Sequence, residues 1–185
     1  MRRLYEPAAY GPLTGCYWAE TCDIAPWAPW ARLTDPQPVD TAVIGGGITG
    51  MNAALSLAEA GQRVVVLEAE QPGWGASGRN GGFCCMGGGL LQGTTLRRRF
   101  GEEAAETWEA AQSAAVTHVA QRLARFGITA DRHSQGETVL AHSPRAWQRL
   151  QTAAEDGDTL HDTADLAARG MAGPWLGGLT HPVGF

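Results

Sequence analysis

Residues 40–70 read DTAVIGGGITGMNAALSLAEAGQRVVVLEAE, and the order of residue types in this stretch spells a strand–helix–strand unit. Thr41-Ala42-Val43-Ile44 is a short apolar, β-prone run that ends at Gly45. From Thr49 to Ala60 the chain is mostly Ala, Leu, Met and Ser, with Met51, Ala54, Leu55 and Ala58 recurring at helical spacing. Gly61 stands where a helix-terminating glycine belongs. Arg63-Val64-Val65-Val66-Leu67-Glu68 follows as a second strand, and its unbroken apolar run suits a parallel strand covered on both faces.

Between the first strand and the helix, Gly45-Gly46-Gly47-Ile48-Thr49-Gly50 fits GxGxxG. The pattern is weak alone, but here a strand precedes it, a helix follows, and an acid closes the next strand. Glu68 comes 23 residues after Gly45, close to the interval of about 20 expected for a dinucleotide site. Gly45 permits the sharp exit from the strand, Gly47 lets a pyrophosphate approach the backbone, and Gly50 lets the helix pack close to the sheet. The unpaired N–H groups and dipole at the helix start favour phosphate charge. A carboxylate at Glu68 suits both ribose hydroxyls and repels a 2′-phosphate, which argues against NADP. It leaves FAD and NAD undivided.

The next segment divides them through a resemblance. Gly73-Trp74-Gly75-Ala76-Ser77-Gly78-Arg79-Asn80-Gly81-Gly82 resembles a signature of the D-amino-acid oxidase-like family of FAD-dependent amine and amino-acid oxidoreductases. The subgroup most similar in appearance is the gamma-glutamylputrescine oxidoreductase-like one. The resemblance runs from Val43 through Glu68 to Gly82 and continues more weakly along the following helix and strand; Tyr17-Trp18-Ala19 also look like that subgroup's lead-in. It implies FAD as cofactor, and a loop from Ala76 to Gly82 near the junction of pyrophosphate and isoalloxazine. A loop of small residues can lie along a flavin where larger side chains would clash. Ser77 can donate to a phosphate or flavin oxygen, and Arg79 can offset pyrophosphate charge. The candidate cofactor-binding set is therefore Gly45, Gly47, Ile48, Thr49, Gly50, Glu68, Ala69, Gly75, Ala76, Ser77, Arg79, Asn80, Gly81 and Gly82. The signature is followed by Phe83-Cys84-Cys85-Met86 where family members carry polar or small residues. These either tune the flavin environment or pack inertly, and a covalent flavin link through them is not expected.

Composition narrows the classes. The chain has 185 residues, 44% hydrophobic and 18% charged, as ordinary globular proteins do. A net charge of −5 recommends neither nucleic acid nor an anionic membrane as partner. All 14 basic residues are Arg, which excludes a lysine Schiff base or a phosphate-loop lysine within this chain. The 25 glycines exceed the norm of about 7%, and nine of them fall between Gly73 and Gly93. Cys16, Cys22, Cys84 and Cys85 lack zinc or CxxC spacing, so reduced thiols and a cytoplasmic location are expected. Arg2-Arg3 and Leu13-Thr14-Gly15-Cys16 evoke targeting boxes. The segment between them, Tyr5-Glu6-Pro7-Ala8-Ala9-Tyr10-Gly11-Pro12, is too polar and proline-broken to serve either.

The fold class expected is α/β: a Rossmann-type FAD-binding βαβ unit followed by the start of an α+β substrate domain. Residues 1–39 form an extended Pro/Trp-rich segment with the patch Ala25-Pro26-Trp27-Ala28-Pro29-Trp30; residues 40–130 form the FAD-binding region with its glycine loop and one long helix from about Thr95 to Phe126; residues 131–185 begin the substrate domain. There, Glu137–Ala141 reads as a strand. Ser143-Pro144 opens a helix to about Asp156, and a short helix spans Asp162 to Arg169. The glycine-rich ending shows no closing element. His118 is assigned to a helix face or core, His133 and His142 flank the strand, and His161 and His181 fall in loops. No metal-ligand or triad spacing links them.

Family members are longer, so the chain reads as an N-terminal portion lacking later strands and most substrate contacts. A sheet left incomplete exposes an apolar edge and face, which makes a complementary C-terminal chain a candidate partner. The expected function is oxidation of the C–N bond of a small amine or amino acid by hydride transfer to flavin. Its rivals are an NAD-dependent dehydrogenase and a non-catalytic nucleotide-binding remnant. No catalytic residue is assigned. The chain alone is expected to bind FAD weakly or not at all, and stoichiometric flavin in purified, refolded chain would contradict this.

Overall fold

The computed structural model describes residues 11–12, 14–22, 30–87, 89, 91 and 93–185. Most of the Ala25–Trp30 patch and residues 1–10 lie outside them. The chain divides into two compact units, Met1–Gly81 and Gly82–Phe185. The division falls inside the stretch 40–130 that the residue pattern treats as one region.

In the first unit, helix α1 (Tyr17–Thr21) precedes strand β1 (Thr41–Ile44), helix α2 (Ile48–Glu59) and strand β2 (Val64–Leu67). β1 and β2 pair in parallel from Thr41 opposite Val64 to Ile44 opposite Leu67. Arg63 and Asp40 brace the base of the pair: the Arg63 Nη2 lies 2.9 Å from Asp40 Oδ1, and the Arg63 N–H donates to Oδ2 at 2.9 Å. α2 stops at Gly61, whose φ of +83° is open to glycine at little cost. The Val-Val-Val-Leu run of β2 is half-buried rather than covered on both faces. Ile44 at the end of β1 is 87% exposed, and Ile48 and Met51 on α2 are also exposed. Two strands with one helix cover only part of the apolar surface that their residues carry.

In the second unit the single long helix expected from Thr95 to Phe126 is two: α3 (Gly93–Phe100) and α4 (Glu102–Phe126). Gly101 breaks them with φ +90°, a conformation that helical residues do not adopt. Arg97 spans the break, its Nε 2.8 Å from Glu102 Oε1 and its Nη2 2.9 Å from Glu109 Oε2. α4 ends as expected at Gly127, which is left-handed.

Strand β3 (Glu137–Leu140) and helix α5 (Pro144–Ala153) follow. Ser143 caps α5 by accepting from the Ala146 N–H at 3.2 Å, with Pro144 in the first turn. The helix ends at Ala153, short of the expected Asp156, because Ala154 is extended. The next elements correct the reading of the ending. His161 lies in strand β4 (Thr159–His161) and His181 in strand β5 (Gly178–His181), rather than in loops. Helix α6 (Thr163–Ala168) separates them, capped by Asp162 Oδ1 accepting from Ala164 and Asp165.

β5 is the middle strand of an antiparallel sheet ordered β3-β5-β4. Its small residues are what permit this. An added Cβ on Gly178 would stand 3.2 Å from Leu166 Cδ2 and 3.3 Å from Leu140 Cδ2, and one on Gly177 would meet the Trp147 ring at 2.7 Å. Leu166 and Leu179 are almost wholly buried around that strand. Cys85 bridges Gly184, with N–H to C=O bonds in both directions between Cys84 and Phe185 at 3.0 and 2.9 Å. Leu166→Ala should therefore destabilise the second unit by about 2–5 kcal/mol, as core truncations do, read as a lower urea midpoint of its own transition.

Candidate functional site

The Gly45–Gly50 turn is stitched at four points to the chain that leaves β2. The Gly45 N–H donates to Leu67 O at 2.8 Å, prolonging the strand pairing by one residue. The Gly46 N–H donates to Glu68 Oε2 at 2.6 Å, and the Gly46 carbonyl accepts from the Gly73 N–H at 2.9 Å. The Ile48 N–H, at the start of α2, donates to Ser77 Oγ at 3.0 Å. The turn fits only glycine at its critical places. Gly45 has φ +99°, and a Cβ on Gly50 would run into the Gly45 carbonyl oxygen. A Cβ on Gly47 would stand 2.9 Å from Ser77 Oγ, inside any normal contact.

Glu68 sits where the acid of the motif should, beside the turn. Its carboxyl is held below the ordinary glutamate value of 4.5, first by the Gly46 N–H and then by the Glu70 N–H, with burial opposing them. It is therefore a carboxylate at neutral pH. Two oxygens offer about four acceptor positions, so the carboxylate retains capacity beyond these two donors. Thr49 occupies the exposed first turn of α2, and Ala69 leads into the loop.

The loop adopts a short 3₁₀ turn at Ala76–Gly78, entered through Gly75. Asn80 Nδ2 donates to Ser77 O at 2.8 Å, closing the loop on itself. Arg79 lies across it: Nε donates to Trp74 O at 3.0 Å, Nη2 donates to Gly11 O at 2.7 Å, and the guanidinium carbon stands 4.7 Å from the centre of the Trp74 ring. Expected from sequence to face phosphate charge, Arg79 instead spends these donors on backbone carbonyls. Trp18 Nε1 donates to Asn80 O at 2.7 Å, and Cys16 Sγ lies 3.3 Å from Gly78 O. Neither contact is legible in the sequence, since both join residues 62 apart. Gly81 ends the first unit, and Gly82, with φ +78°, begins the second.

Residues 40–184 match the FAD dependent oxidoreductase family abbreviated DAO. The chain belongs to that family. DAO members are FAD-dependent enzymes, and this settles the choice between FAD and NAD that Glu68 leaves open. Over 69 residues the chain is 51% identical to gamma-glutamylputrescine oxidoreductase of Escherichia coli (strain K12), a match covering 37% of this chain and 16% of that protein. It is 51% identical over 55 residues to the probable oxidoreductase OrdL of Haemophilus influenzae, covering 30% of this chain and 13% of that protein. The matches to these curated relatives thus span under a fifth of their length. Among solved structures, glycine oxidase from Bacillus cereus ATCC 14579 shares the fold with a TM-score of 0.58 at 19% identity, over 80% of this chain and 40% of that one.

Several further cysteines and histidines of this DAO-family chain lie among the described residues. Cys16, Cys22, Cys84 and Cys85 are all free thiols. Burial pushes both Cys84 and Cys85 up, with the Glu137 carboxylate adding to the effect at Cys85, so neither is a reactive thiolate at neutral pH. His161 is buried and joins a chain of contacts, 2.8 Å from Thr180 Oγ1, which lies 2.7 Å from Thr138 Oγ1. His181 Nδ1 lies 2.8 Å from Asp158 Oδ1. His118 is exposed and accepts from Arg122 Nε at 3.2 Å. Among the described residues no cluster of His, Cys, Asp or Glu could hold a metal, and no helix is long and apolar enough to cross a membrane.

The Glu68 contacts give a pH signature. Because its folded pKa is lowered, the unfolded chain binds more protons below about pH 4.5, and the stabilisation is present above that value and lost as pH falls through the folded pKa. Carboxyl NMR titration should show Glu68 with a midpoint below 4.5, and the acid-side loss of stability should flatten in Glu68→Gln.

Proposed function

We propose that the Gly45–Gly50 turn, Glu68 and the Gly75–Gly82 loop hold FAD, and that the protein to which this chain contributes oxidises the C–N bond of a small amine or amino acid. The observation that carries the cofactor site is the shape of the turn. Gly46 and Gly47 present bare backbone beside the start of α2, and a Cβ at Gly47 would fill the space against Ser77. A backbone bare of side chains beside a helix start is what the approach of a diphosphate requires.

Each residue has a task in this reading. The first turn of α2, from Ile48 and Thr49, supplies the positive end of its dipole, with the Ile48 N–H acting through Ser77. Ser77 accepts from the Ile48 N–H and keeps its own hydroxyl proton to donate, so it relays a donor from the helix start to a phosphate oxygen. Glu68, ionised and anchored by Gly46 and Glu70, accepts from the adenosine ribose hydroxyls through its remaining lone pairs. Ala69 follows it without a bulky group. Gly75, Ala76, Gly81 and Gly82 keep side chains out of the flavin's way, while Asn80 and Arg79 hold the loop's shape from beneath. When bound, FAD would accept a hydride from the substrate carbon attached to nitrogen; the imine product would then hydrolyse, and oxygen or another electron acceptor would reoxidise the flavin.

The substrate class rests on the family and on the relatives' printed activities. Among the described residues none is assigned as acceptor for the proton that the substrate nitrogen releases. We place the chain in the cytoplasm, in keeping with its four free thiols, and include a complementary polypeptide among its partners because Ile44, Ile48 and Met51 are left exposed.

Titration with FAD, followed by flavin fluorescence and by the amide signals of Gly46, Gly47 and Ile48, tests the site. Those signals should move in the native chain at FAD concentrations high enough for weak binding, and Gly47→Val should abolish both responses. Unchanged binding in Gly47→Val would sink the assignment of the turn. Amine-dependent reduction of an electron acceptor, assayed with the chain alone and beside any polypeptide encoded next to it, tests the reaction class.

A further inference from the structure

We infer that the segment around Cys16 and Trp18 is a strap that sets the shape of the FAD loop, making the N-terminal lead-in part of the cofactor site without serving as a FAD ligand itself. The inference rests on the assignment of residues 75–81 to FAD made above.

Three consecutive loop residues are each tied to that segment. The Gly78 carbonyl faces the Cys16 thiol at 3.3 Å, the Asn80 carbonyl accepts from Trp18 Nε1 at 2.7 Å, and between them Arg79 Nη2 donates to the Gly11 carbonyl at 2.7 Å. The lead-in has its own local order. The Glu20 N–H donates to Cys16 O at 3.1 Å and the Cys22 N–H to Trp18 O at 2.9 Å, while Glu20 Oε1 accepts from the Gly15 N–H at 2.9 Å. It therefore presents Cys16 and Trp18 from a helical turn rather than from a free tail. Tyr17 stacks edge-on against Trp18 with ring centres 5.0 Å apart, limiting the indole's rotation.

The loop needs such outside help. Its glycines give it access to many backbone conformations, and its backbone–backbone bonds are long: the Gly78 N–H reaches Gly75 O at 3.3 Å and the Arg79 N–H reaches Ala76 O at 3.2 Å, beside the shorter side-chain ties of Asn80 to Ser77 O and of Arg79 to Trp74 O. A cofactor that binds only one loop shape has its affinity reduced by the fraction of time the loop spends elsewhere. The Cys16 and Trp18 donors and the Gly11 acceptor remove that freedom before the cofactor arrives. The role is positioning, since Trp18 and Cys16 act through the carbonyls of Asn80 and Gly78.

The test uses the full chain carrying Trp18→Phe, which keeps the aromatic ring and deletes the N–H donor. Amide exchange of Gly78 and Arg79 should quicken by about two- to tenfold, the worth of one net hydrogen bond, while the Gly45 amide keeps its protection. FAD affinity should weaken by a similar factor, about two- to tenfold. Unchanged exchange at Gly78 and Arg79, or quicker exchange with unchanged FAD affinity, overturns the strap. Should Trp18→Phe loosen Gly45 as well, Cys16→Ala is judged by the same criteria. Gly47→Val, run in parallel, separates the two failures. If it abolishes FAD binding while both strap variants leave affinity intact, the strap alone falls. If it leaves binding intact, the cofactor assignment falls, and the strap as part of a FAD site falls with it.

Discussion

The carbonyl oxygen of Gly45 occupies the place where a β-carbon on Gly50 would stand, and much of the first unit is built around that approach. It lets the first turn of α2 lie directly over the end of β1, with Val43 Cγ1 only 3.2 Å from the same point. A helix that starts there must run back along the sheet and deliver β2 parallel to β1. The turn then presents the helix start at the carboxyl end of both strands, where open α/β sheets place ligands. Strain at Gly45, with φ +99°, is tolerable because the residue has no Cβ and because its N–H is held by Leu67. One close backbone contact thus fixes strand order, helix direction and the position of the donors.

Two groups with opposite preferences meet at this turn. The start of a helix favours negative charge, and Glu68 already brings a carboxylate to the Gly46 N–H. A second anion nearby would meet repulsion unless the turn offers it separate donors. Ser77 provides for that separation. Its hydroxyl sits on the Ile48 N–H, two residues along from the donor that Glu68 uses. The carboxylate and the proposed phosphate position therefore address different backbone donors, and the carboxylate is fixed by the Glu70 N–H as well.

The elements legible in the sequence are those whose signals are local. β1, α2 and β2 announce themselves through periodicity and flanking glycines, and Ser143-Pro144 and Asp162 cap their helices as residue chemistry requires. What escaped were elements decided by distant partners. Gly177-Gly178 read as loop because glycine disfavours strands on its own account, yet the positions must be small to admit Trp147, Leu166 and Leu140. His161 and His181 followed the same error, since β4 and β5 exist through pairing with each other and with β3. Gly101 lies inside the helical pattern from Thr95 to Phe126, and a lone glycine there signals either a tolerated defect or a break. Its +90° φ decides for the break. At the site, the turn and the acid were legible because the motif encodes their spacing. The engagement of Arg79 with Gly11 and Trp74 was not, because charge alone does not say which acceptors a guanidinium will find.

That last case shows how a glycine-rich loop acquires a definite shape. Such a loop has carbonyls in abundance and almost no side chains, so its order must come from donors placed around it. Arg79 is suited to this because its planar fork serves two acceptors at once, and stacking on Trp74 at 4.7 Å holds the fork's plane. A lysine would offer one mobile charge in the same place, and this chain contains none. Asn80 adds a donor from within the loop, and Trp18 and Cys16 add donors from the lead-in. A rigid aromatic N–H costs less to immobilise than a long flexible cation, because an indole has only two side-chain torsions to lose. The Trp, Arg and Asn residues around the loop thus act on its backbone, and the glycines stay free for the contact that only they permit.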